Sequence, residues 1–425
     1  MPHLEQILID QKAELLATDF KAYVSRKEER EIELDSPLAQ IVIGVRRSGK
    51  STLCQKVLVE SGVKFAYVNC DDEHIAHLRS TELTDLQEAL YAVYGDFTHL
   101  FIDEVQNLAD WPLFVNRLLR QRLHLVLTGS NANLLSDELS THITGRYNEI
   151  RLYPFSFSDY LADRGIDGQE RTTRAKGLMT KALHDYLLQG GMPETLTLRR
   201  PDKYIHALLD AVVGKDICRR YKVRYKQTLR QIVAGVLDRF CQEINYSDVQ
   251  QAYKLASIHT AKNYVGYIDK AYLVRLVPRF SWGSIERQTS RKAYAIDTAF
   301  VTTHDNVLQP DNMGWRLENV VAIELFRRMA YASSQVYYLR ENRNYEVDFA
   351  VADNGKIHEL IQVTYDFATP TQRLYNREVK ALVKGARATR CTALTLIMMY
   401  GQERDIAVEG LTIRCRLAVN WLLDR

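Results

Sequence analysis

The chain has 425 residues, of which 46% are hydrophobic and 26% are charged, a balance typical of soluble globular proteins. At ~100–200 residues per domain, this length predicts two to four domains. The formal net charge is only +3, so binding to nucleic acid or to a membrane surface would need a local basic patch. The six cysteines have no paired spacing, which argues against a zinc site or a disulfide framework.

The apolar segments of the chain predict a cytoplasmic protein. The N-terminal residues include acidic side chains and no uninterrupted apolar core, unlike a signal peptide. The longest apolar-rich stretch, residues 391–400, is far shorter than the roughly 20 residues that a membrane span needs.

Short apolar runs alternate with helical patterns from residue 39 to about residue 156. Continuous apolar runs are typical of parallel strands that are buried on both faces. Strand–helix alternation of this kind predicts a parallel α/β sheet. The predicted strands are 40–45, 64–70, 99–105, 124–130 and 148–154, and the helical patterns between them include 83–94 and 112–121.

The rest of the chain is first helical and then α/β. Residues 158–225 are helical and polar, and three further helical patterns precede an extended run that starts at residue 274. Beyond residue 291 the chain is again α/β. We predict strands at 336–341, 346–353, 358–367 and 391–400, and helices at 315–329 and 373–385.

The strongest motif is a glycine-rich loop that fits G-x-x-x-x-G-K-[ST] and lies between a predicted strand and a predicted helix. Glycines let backbone N–H groups face a phosphate, and the following helix presents its positive N-terminal end. Lys50 would reach the β- and γ-phosphates, and the Ser51 hydroxyl would hold Mg²⁺. The motif therefore predicts binding of ATP with Mg²⁺. The expected binding residues are Gly44, Val45, Arg46, Arg47, Ser48, Gly49, Lys50, Ser51 and Thr52.

An acidic pair follows the apolar run at 99–102. Asp103 would hold the outer shell of the metal, and Glu104 is the natural candidate to orient and polarise the attacking water. A nucleotide kinase would need a hydroxyl acceptor and no such glutamate, so the pair favours hydrolysis. The alternative is a solvated acidic strand end.

Three further candidates lie between the run at 124–130 and the last predicted strand of this sheet. Ser130 ends the run at 124–130 and Asn131 follows it, at a position where small polar side chains lie beside the ligand in open α/β sheets. The alternative is a turn or a helix cap. Arg146 precedes the last strand and is a candidate arginine finger, or else a surface arginine that pairs with Glu149.

These motifs, together with QGGMPE at 189–194, KDICRRY at 215–221, WRLENVVAIEL at 315–325 and YEVDFAV at 345–351, resemble a known family. The chain is similar to bacterial and archaeal AAA-type ATPases that carry a winged helix and a restriction-endonuclease-like C-terminal domain. The resemblance implies an extra strand between the strand that precedes the glycine-rich loop (the P-loop) and the strand of Asp103. It also implies sensor duty for Ser130 or Asn131, and a γ-phosphate role for Arg146, donated in some arrangements by a neighbouring subunit.

The three helical patterns at 226–274 and the run after them fit a winged helix. Its recognition helix would span 259–272 and expose His259, Thr260, Lys262 and Asn263. The segment 215–226 just upstream holds six basic residues against one acid, Asp216. Double-stranded DNA is therefore one candidate partner, and a protein that docks on the winged helix is the other.

The C-terminal residues match a nuclease pattern only in part. Glu318 and Asp348 occupy two places of a metal-binding carboxylate set, but the next strand has Gln362 and Thr364 where a glutamate and a lysine are needed. Lys380 on the following helix is a candidate substitute for that lysine. We predict that this domain is catalytically inactive and binds a partner or nucleic acid.

The sequence thus predicts an α/β fold in four parts. These are an AAA-type P-loop core with a parallel sheet (1–157), a helical segment (158–225), a winged helix (226–285) and a restriction-endonuclease-like domain (286–425). The predicted function is Mg²⁺-dependent ATP hydrolysis that drives or gates a conformational change. An ATP-dependent switch with negligible turnover and an ATP-controlled nuclease are the alternatives. Arginine-finger logic favours a homo-oligomer, although a monomeric switch is also compatible with the sequence.

Overall fold

The computed structural model describes residues 2–129, 145–281, 290–302, 312–330, 332–341 and 345–424. The chain divides into two compact units. The first contains residues 1–153 and 270–272, and the second contains residues 154–269 and 273–425. Within the described residues, no helix combines the length and the apolar content needed to cross a bilayer.

The first unit is built on a five-stranded parallel sheet. Buried apolar side chains occupy both faces of its central strands, as expected for a parallel sheet covered by helices on each side. The strands are β1 (Ala39–Ile43), β2 (Phe65–Asn69), β3 (His99–Asp103), β4 (His124–Gly129) and β5 (Tyr147–Arg151).

The order of the strands is β2-β3-β4-β1-β5, and every neighbouring pair is parallel. The resemblance implied a strand between the P-loop strand and the strand of Asp103, and β4 is that strand. Because the strands are parallel, the carboxyl ends of β1, β3 and β4 meet at one edge of the sheet. The motifs at 44–51, 103–104 and 128–129 are thereby brought together.

Helices cover this sheet, and α2 begins inside the glycine-rich loop. Its side chains Leu53 and Leu58 pack with Val42, Phe101 and Ile150 of the sheet in one apolar core. Full burial of such a side chain stabilises the fold by roughly 1.5–3 kcal/mol. The helices are α1 (Pro2–Ala17), α2 (Lys50–Ser61), α3 (Leu83–Tyr94) and α4 (Trp111–Arg120).

The second unit begins with helices and continues into a small antiparallel sheet. Residues Val212–Arg219 form a π-helix, with backbone bonds one residue wider than in an α-helix. Three helices follow, and strands β6 (Glu243–Ile244), β7 (Val274–Pro278) and β8 (Arg291–Ala295) pair in the order β6-β8-β7. The helices are α5 (Phe157–Asp163), α6 (Thr173–Gln189), α7 (Pro201–Ala211), α8 (Lys226–Asp238), α9 (Tyr246–Ala252) and α10 (Ile258–Lys270).

The C-terminal part is a six-stranded mixed sheet in the order β13-β14-β12-β11-β10-β9. Strands β9 to β11 form an antiparallel meander, and β11, β12 and β14 are parallel neighbours. The elements are α11 (Ala299–Thr302), α12 (Met313–Met329), β9 (Gln335–Glu341), β10 (Tyr345–Asp353), β11 (Lys356–Asp366), α13 (Gln372–Thr389), β12 (Leu394–Tyr400), β13 (Arg404–Val408), β14 (Leu411–Leu417) and α14 (Ala418–Leu422).

Candidate functional site

The glycine-rich loop connects the end of β1 to the start of α2. A Cβ atom on Gly44 would lie 2.0 Å from the carbonyl oxygen of Leu152, so only glycine fits against β5 at this point. Gly49 has φ +94°, in the left-handed region that favours glycine, and it precedes the first residue of α2. The two glycines therefore permit a tight loop whose last residue leads into a helix N-terminus, the geometry that binds phosphate.

Lys50 is the first residue of α2, and its side chain is buried in the loop. Its Nζ donates hydrogen bonds to the carbonyl oxygens of Gly44 at 3.2 Å and Val45 at 3.1 Å. Only 4% of the residue is exposed to solvent. The ammonium group is therefore held within the curve of the loop, where a bound phosphate would be neutralised by it.

A chain of hydrogen bonds links the ends of two strands, β3 and β4, to helix α2 at the same edge of the sheet. The hydroxyl of Ser51 donates to Oδ1 of Asp103 at 2.8 Å. Thr128, at the end of β4, also donates its hydroxyl to Asp103 Oδ1, and its Oγ1 accepts the backbone N–H of Glu104 at 2.8 Å. The two predicted metal-binding residues thus touch each other, and Thr128 connects them to Glu104.

The electrostatics of Asp103 suit a cation. The residue is 4% exposed. Burial and the charge of Glu104 raise the pKa of its carboxyl group above the ordinary value, although the hydrogen bonds from Thr128 and Ser51 and the charge of Lys50 act against this. A divalent cation held by Ser51 and Asp103 would offset the cost of burying this carboxylate. The donor set, a hydroxyl and a carboxylate oxygen, is of the kind that Mg²⁺ prefers.

Glu104 has an uncommon backbone conformation. Its φ is +50°, in the left-handed region that costs a non-glycine residue roughly 1–2 kcal/mol. Its carboxylate accepts a hydrogen bond from the side chain of Gln106, and its backbone is held by Thr128. Such strain persists only where surrounding contacts enforce it, and it is often found at functional sites.

The other predicted site residues differ in burial and in their contacts. Ser48 is fully buried in the loop, Arg46 and Thr52 are half-buried, and Arg47 is exposed with φ +67°. Arg146 lies exposed beside the start of β5, where its carbonyl oxygen accepts the N–H of Ala39. Glu149 forms an ion pair with Arg151. Ser130 and Asn131 lie outside the described residues.

Thr128 and Gln106 were missed by the sequence interpretation. The signal for Thr128 was available, since it is the last side chain of an apolar run whose strand neighbours β3 in the implied order. Its role as the bridge between Asp103 and Glu104 appears only when the register of the two strands is known.

A second cluster of charged side chains lies in the C-terminal part. Lys292 of β8, which is 4% exposed, pairs with Glu318 of α12 at 3.3 Å and with Glu346 of β10 at 2.6 Å. The hydroxyl of Tyr294 donates to the same Glu318 oxygen at 2.8 Å. The charge of Lys292 also lowers the pKa of Asp348, although burial and the charge of Glu318 hold that pKa well above its usual range.

The side chain of Gln362 is part of this cluster. Its Oε1 accepts the N–H of Asp348 at 3.3 Å, and its Nε2 donates to Glu378 at 2.8 Å. Oδ2 of Asp348 accepts the N–H of Val363 at 2.9 Å. The cluster borders a cleft of about 680 Å³, and Thr364 and Lys380 also line this cleft. Across the described ranges, no group of three or more His, Cys, Asp and Glu side chains has a metal-binding arrangement.

The chain is similar to known families in two segments. Residues 36–161 match a family described as an AAA domain, and residues 180–311 match a domain of unknown function, DUF8612. An uncharacterised protein of Methanocaldococcus jannaschii is 27% identical over 410 residues, which cover 94% of this chain and 88% of that protein. An uncharacterised protein of Haemophilus influenzae is 29% identical over 317 residues, 69% of this chain and 76% of the relative.

Solved structures give weaker similarities. A Walker-type ATPase of Pyrococcus abyssi aligns with 66% of this chain and 95% of its own, at 15% identity and a TM-score of 0.42. AMPPCP-bound DnaA of Aquifex aeolicus aligns with 59% of this chain and 90% of its own, at 13% identity and a TM-score of 0.27. The match to residues 36–161 covers all five strands of the parallel sheet, so this segment of the chain is similar to AAA domains in sequence and has the parallel α/β sheet expected of them.

Proposed function

We propose that this protein binds ATP with Mg²⁺ at the loop 44–51 and hydrolyses it, and that the nucleotide state drives or gates a conformational change. The observation that carries the proposal is the hydrogen-bond chain from Ser51 through Asp103 and Thr128 to Glu104. It joins the proposed phosphate-binding loop, the proposed metal-binding pair and the backbone of Glu104 at one edge of the sheet. The similarity of residues 36–161 to AAA domains supports the same function.

The roles of the binding residues follow from this geometry. Backbone N–H groups of the loop and the N-terminus of α2 would hold the phosphates, and Lys50 would neutralise the β- and γ-phosphates. Ser51 and Asp103 would hold Mg²⁺, which supplies charge neutralisation at the phosphates when it is bound. Burial of Lys50 and Asp103 keeps water away from both charges and strengthens their interactions.

Glu104 would orient and polarise the attacking water and take its proton. Its backbone position is fixed by Thr128, and its carboxylate is positioned by Gln106. Arg146 is proposed to neutralise the charge that develops at the γ-phosphate, and Ser130 or Asn131 to sense that phosphate. If Arg146 is supplied by a neighbouring copy of the chain, the active form is a homo-oligomer. Gel filtration with and without ATP would test this.

The module that moves is proposed to comprise a winged helix and a nuclease-like domain. Support for the first comes from the succession of α8, β6, α9, α10, β7 and β8 around a three-stranded sheet. Support for the second comes from the order α12, β9, β10, β11, α13 and β12, with Glu318 and Asp348 on α12 and β10.

The nuclease-like cleft is proposed to be inactive. A two-metal phosphodiester site needs carboxylates open to metal and a lysine near the attacking water. Gln362 and Thr364 cannot fill the two places on β11, and Glu318 already pairs with the ammonium of Lys292. Metal-dependent cleavage of DNA that Asp348→Ala abolishes would overturn this assignment.

Phosphate release from ATP and Mg²⁺ tests the ATPase proposal. We expect Glu104→Gln to lower turnover roughly 100-fold or more while ATP still binds, since removal of a general base costs about that much. Lys50→Ala is the companion variant and should weaken ATP binding itself. Tight ATP binding by the wild type with no phosphate release would instead support the alternative, an ATP-dependent switch with negligible turnover.

A further inference from the structure

A strongly basic surface lies outside the nucleotide site. Residues 215–226, called here the basic segment, contain six basic side chains and one acid, Asp216, in a chain whose net charge is only +3. Arg220 is half-buried and the other five basic side chains are exposed. Within the described part of the chain, none of the six forms an ion pair. The six are Lys215, Arg219, Arg220, Lys222, Arg224 and Lys226.

The backbone of the basic segment is held in an unusual form. Its first half belongs to the π-helix Val212–Arg219, a rare conformation that is frequent at functional sites. Val212, Val213, Ile217 and Cys218 are buried, so one side of this helix is fixed in the core. The exposed charges of Lys215 and Arg219 therefore project from a fixed backbone, and not from a loose chain.

Aromatic stacking joins the basic segment to α10. The rings of Tyr221 and Tyr267 are parallel within 8°, and their centroids are 3.8 Å apart. Tyr267 lies on α10, the same helix that exposes His259 and Lys262 near its N-terminal end. The basic segment is thus packed against α10 through this pair of rings, which fixes its position relative to the exposed N-terminal end of the helix.

An exposed aromatic ring lies within the charges. Tyr225 is 58% exposed, and the guanidinium of Arg224 lies 5.4 Å from its ring centroid. Burial of an aromatic ring is favourable, so an exposed ring between cations suits a ligand with both negative charge and flat or apolar surface. Duplex DNA has both, since its phosphates carry the charge and its sugars have apolar surface, whereas a peptide of acidic residues alone offers only the charge.

We propose that the basic segment and the exposed N-terminal end of α10 together bind duplex DNA. The five exposed cations, two of them on the fixed π-helix, would contact phosphates, which supply affinity through release of counterions. The side chains of His259 and Lys262 would lie at the groove, where a helix can reach base edges. This DNA surface is a second binding site, and it does not depend on the ATP site being active.

The test is binding of a labelled DNA duplex, measured by fluorescence anisotropy at several salt concentrations without nucleotide. The first variant reverses three exposed charges of the basic segment: Lys222→Glu, Arg224→Glu and Lys226→Glu. The matched control reverses three exposed charges elsewhere in the second unit and changes the net charge by the same amount: Arg171→Glu, Arg174→Glu and Lys176→Glu.

We expect the first variant to bind at least 10-fold more weakly. The slope of its plot of log affinity against log salt concentration should be smaller in magnitude by about three. The control should bind like the wild type. Equal weakening in both variants would show a general charge effect and overturn the proposal, as would absence of duplex binding by the wild type. Equal competition by poly-glutamate would also overturn it, because the surface would then select charge alone.

Circular dichroism and basal phosphate release distinguish loss of binding from loss of folding. If the triple variant is misfolded, Lys222→Ala with Lys226→Ala makes the same test with smaller changes and should lower the salt dependence by about two. Duplex binding by Glu104→Gln should equal that of the wild type, so failure of the ATPase proposal and failure of the DNA proposal give different results.

Discussion

The hydroxyl of Thr128 accepts the backbone N–H of Glu104 at 2.8 Å, and this contact joins the ends of two neighbouring strands. The same hydroxyl donates to Asp103. One side chain on β4 therefore fixes both the buried carboxylate of β3 and the strained residue that follows it. Because Thr128 is fully buried, no water can replace these two hydrogen bonds if the hydroxyl is removed.

Thr128→Val is predicted to lower turnover without abolishing ATP binding. The variant keeps the shape of the side chain and removes both hydrogen bonds, one of them to a charged group. If the loss of these hydrogen bonds raises the activation free energy by about 1.5–3 kcal/mol, kcat falls by roughly 10- to 100-fold. Phosphate release at saturating ATP measures it, with ATP affinity followed in parallel.

Thr128→Ser is the control, because serine keeps the hydroxyl. It should retain most of the wild-type turnover. If valine and serine lower kcat equally, the methyl group and not the hydroxyl matters, and the positioning role of Thr128 would be wrong.

Gly190→Ala is predicted to destabilise the second unit by several kcal/mol. Gly190 ends α6 with φ +76°, and a Cβ there would lie 1.7 Å from Oδ1 of Asp297 and 2.7 Å from the N atom of Ala299. Neither atom can move easily, because Oδ1 of Asp297 accepts the N–H of Ala299 and its Oδ2 accepts the N–H of Gly191. Thermal unfolding measures the effect.

Gly177→Ala is the matched control for this change. Gly177 lies within the same helix, and apart from the backbone of that helix no atom lies within 4 Å of its added Cβ. Alanine should stabilise the helix there by up to about 1 kcal/mol. A similar small effect of both substitutions on the unfolding temperature would contradict the proposed tight contact at Gly190.

The first sheet could be predicted from the sequence because each of its strands is a continuous apolar run. The predicted run at 99–105 contains β3, and the run at 124–130 contains β4. The hairpin of β13 and β14 was not predicted. Its side chains are exposed or half-buried except for Ile413 and Cys415, so it lacks the long apolar run that identifies a buried strand.

The local motif at 44–51 could be recognised from spacing alone, whereas contacts between distant strands could not. Lys292 is separated from Glu318 by 26 residues and reaches it only because β8 lies beside α12 in the fold. Nothing in the spacing of a single lysine indicates such a contact. The bridge made by Thr128 has the same origin, since it depends on strand order and register.

The difference in stability between the wild type and Asp297→Asn is predicted to depend on pH. Asp297 is buried, and burial raises its pKa to about 6 from an ordinary value of 3.8, against the lowering effect of hydrogen bonds from Ala299 and Gly191. The folded state therefore binds the proton more tightly than the unfolded state. The stability from this group is fully present below about pH 4 and is lost as the pH rises through 6.

The shift of about two pKa units at Asp297 corresponds to about 3 kcal/mol of unfolding free energy. Relative to Asp297→Asn, the wild type should thus lose up to this amount of unfolding free energy between pH 4 and pH 7, because other carboxylates titrate alike in both proteins. Urea denaturation at a series of pH values measures the difference. A difference that stays constant over this range would show that Asp297 is ionised throughout, with its two backbone hydrogen bonds outweighing burial.

Lys292→Met is predicted to destabilise the second unit by about 3–5 kcal/mol, the usual cost of removing one partner from a buried ion pair. Methionine fills a similar volume but leaves Glu318 and Glu346 without the ammonium group, beside a third acid, Asp348. The loss should be smaller at acidic pH, where protonation removes the repulsion among these acids. A loss of that size would show that Lys292 is the cation that holds this cluster together.

Lys356→Met is the control, because Lys356 is exposed at the start of β11. A surface change of this kind should alter the free energy of unfolding by no more than about 0.5 kcal/mol. If Lys292→Met is as harmless as this control at neutral pH, the acidic residues must be neutralised by protons instead of by Lys292. Lys292 would then not be the cation that holds this cluster together, although Gln362 and Thr364 would still leave the two places on β11 unfilled.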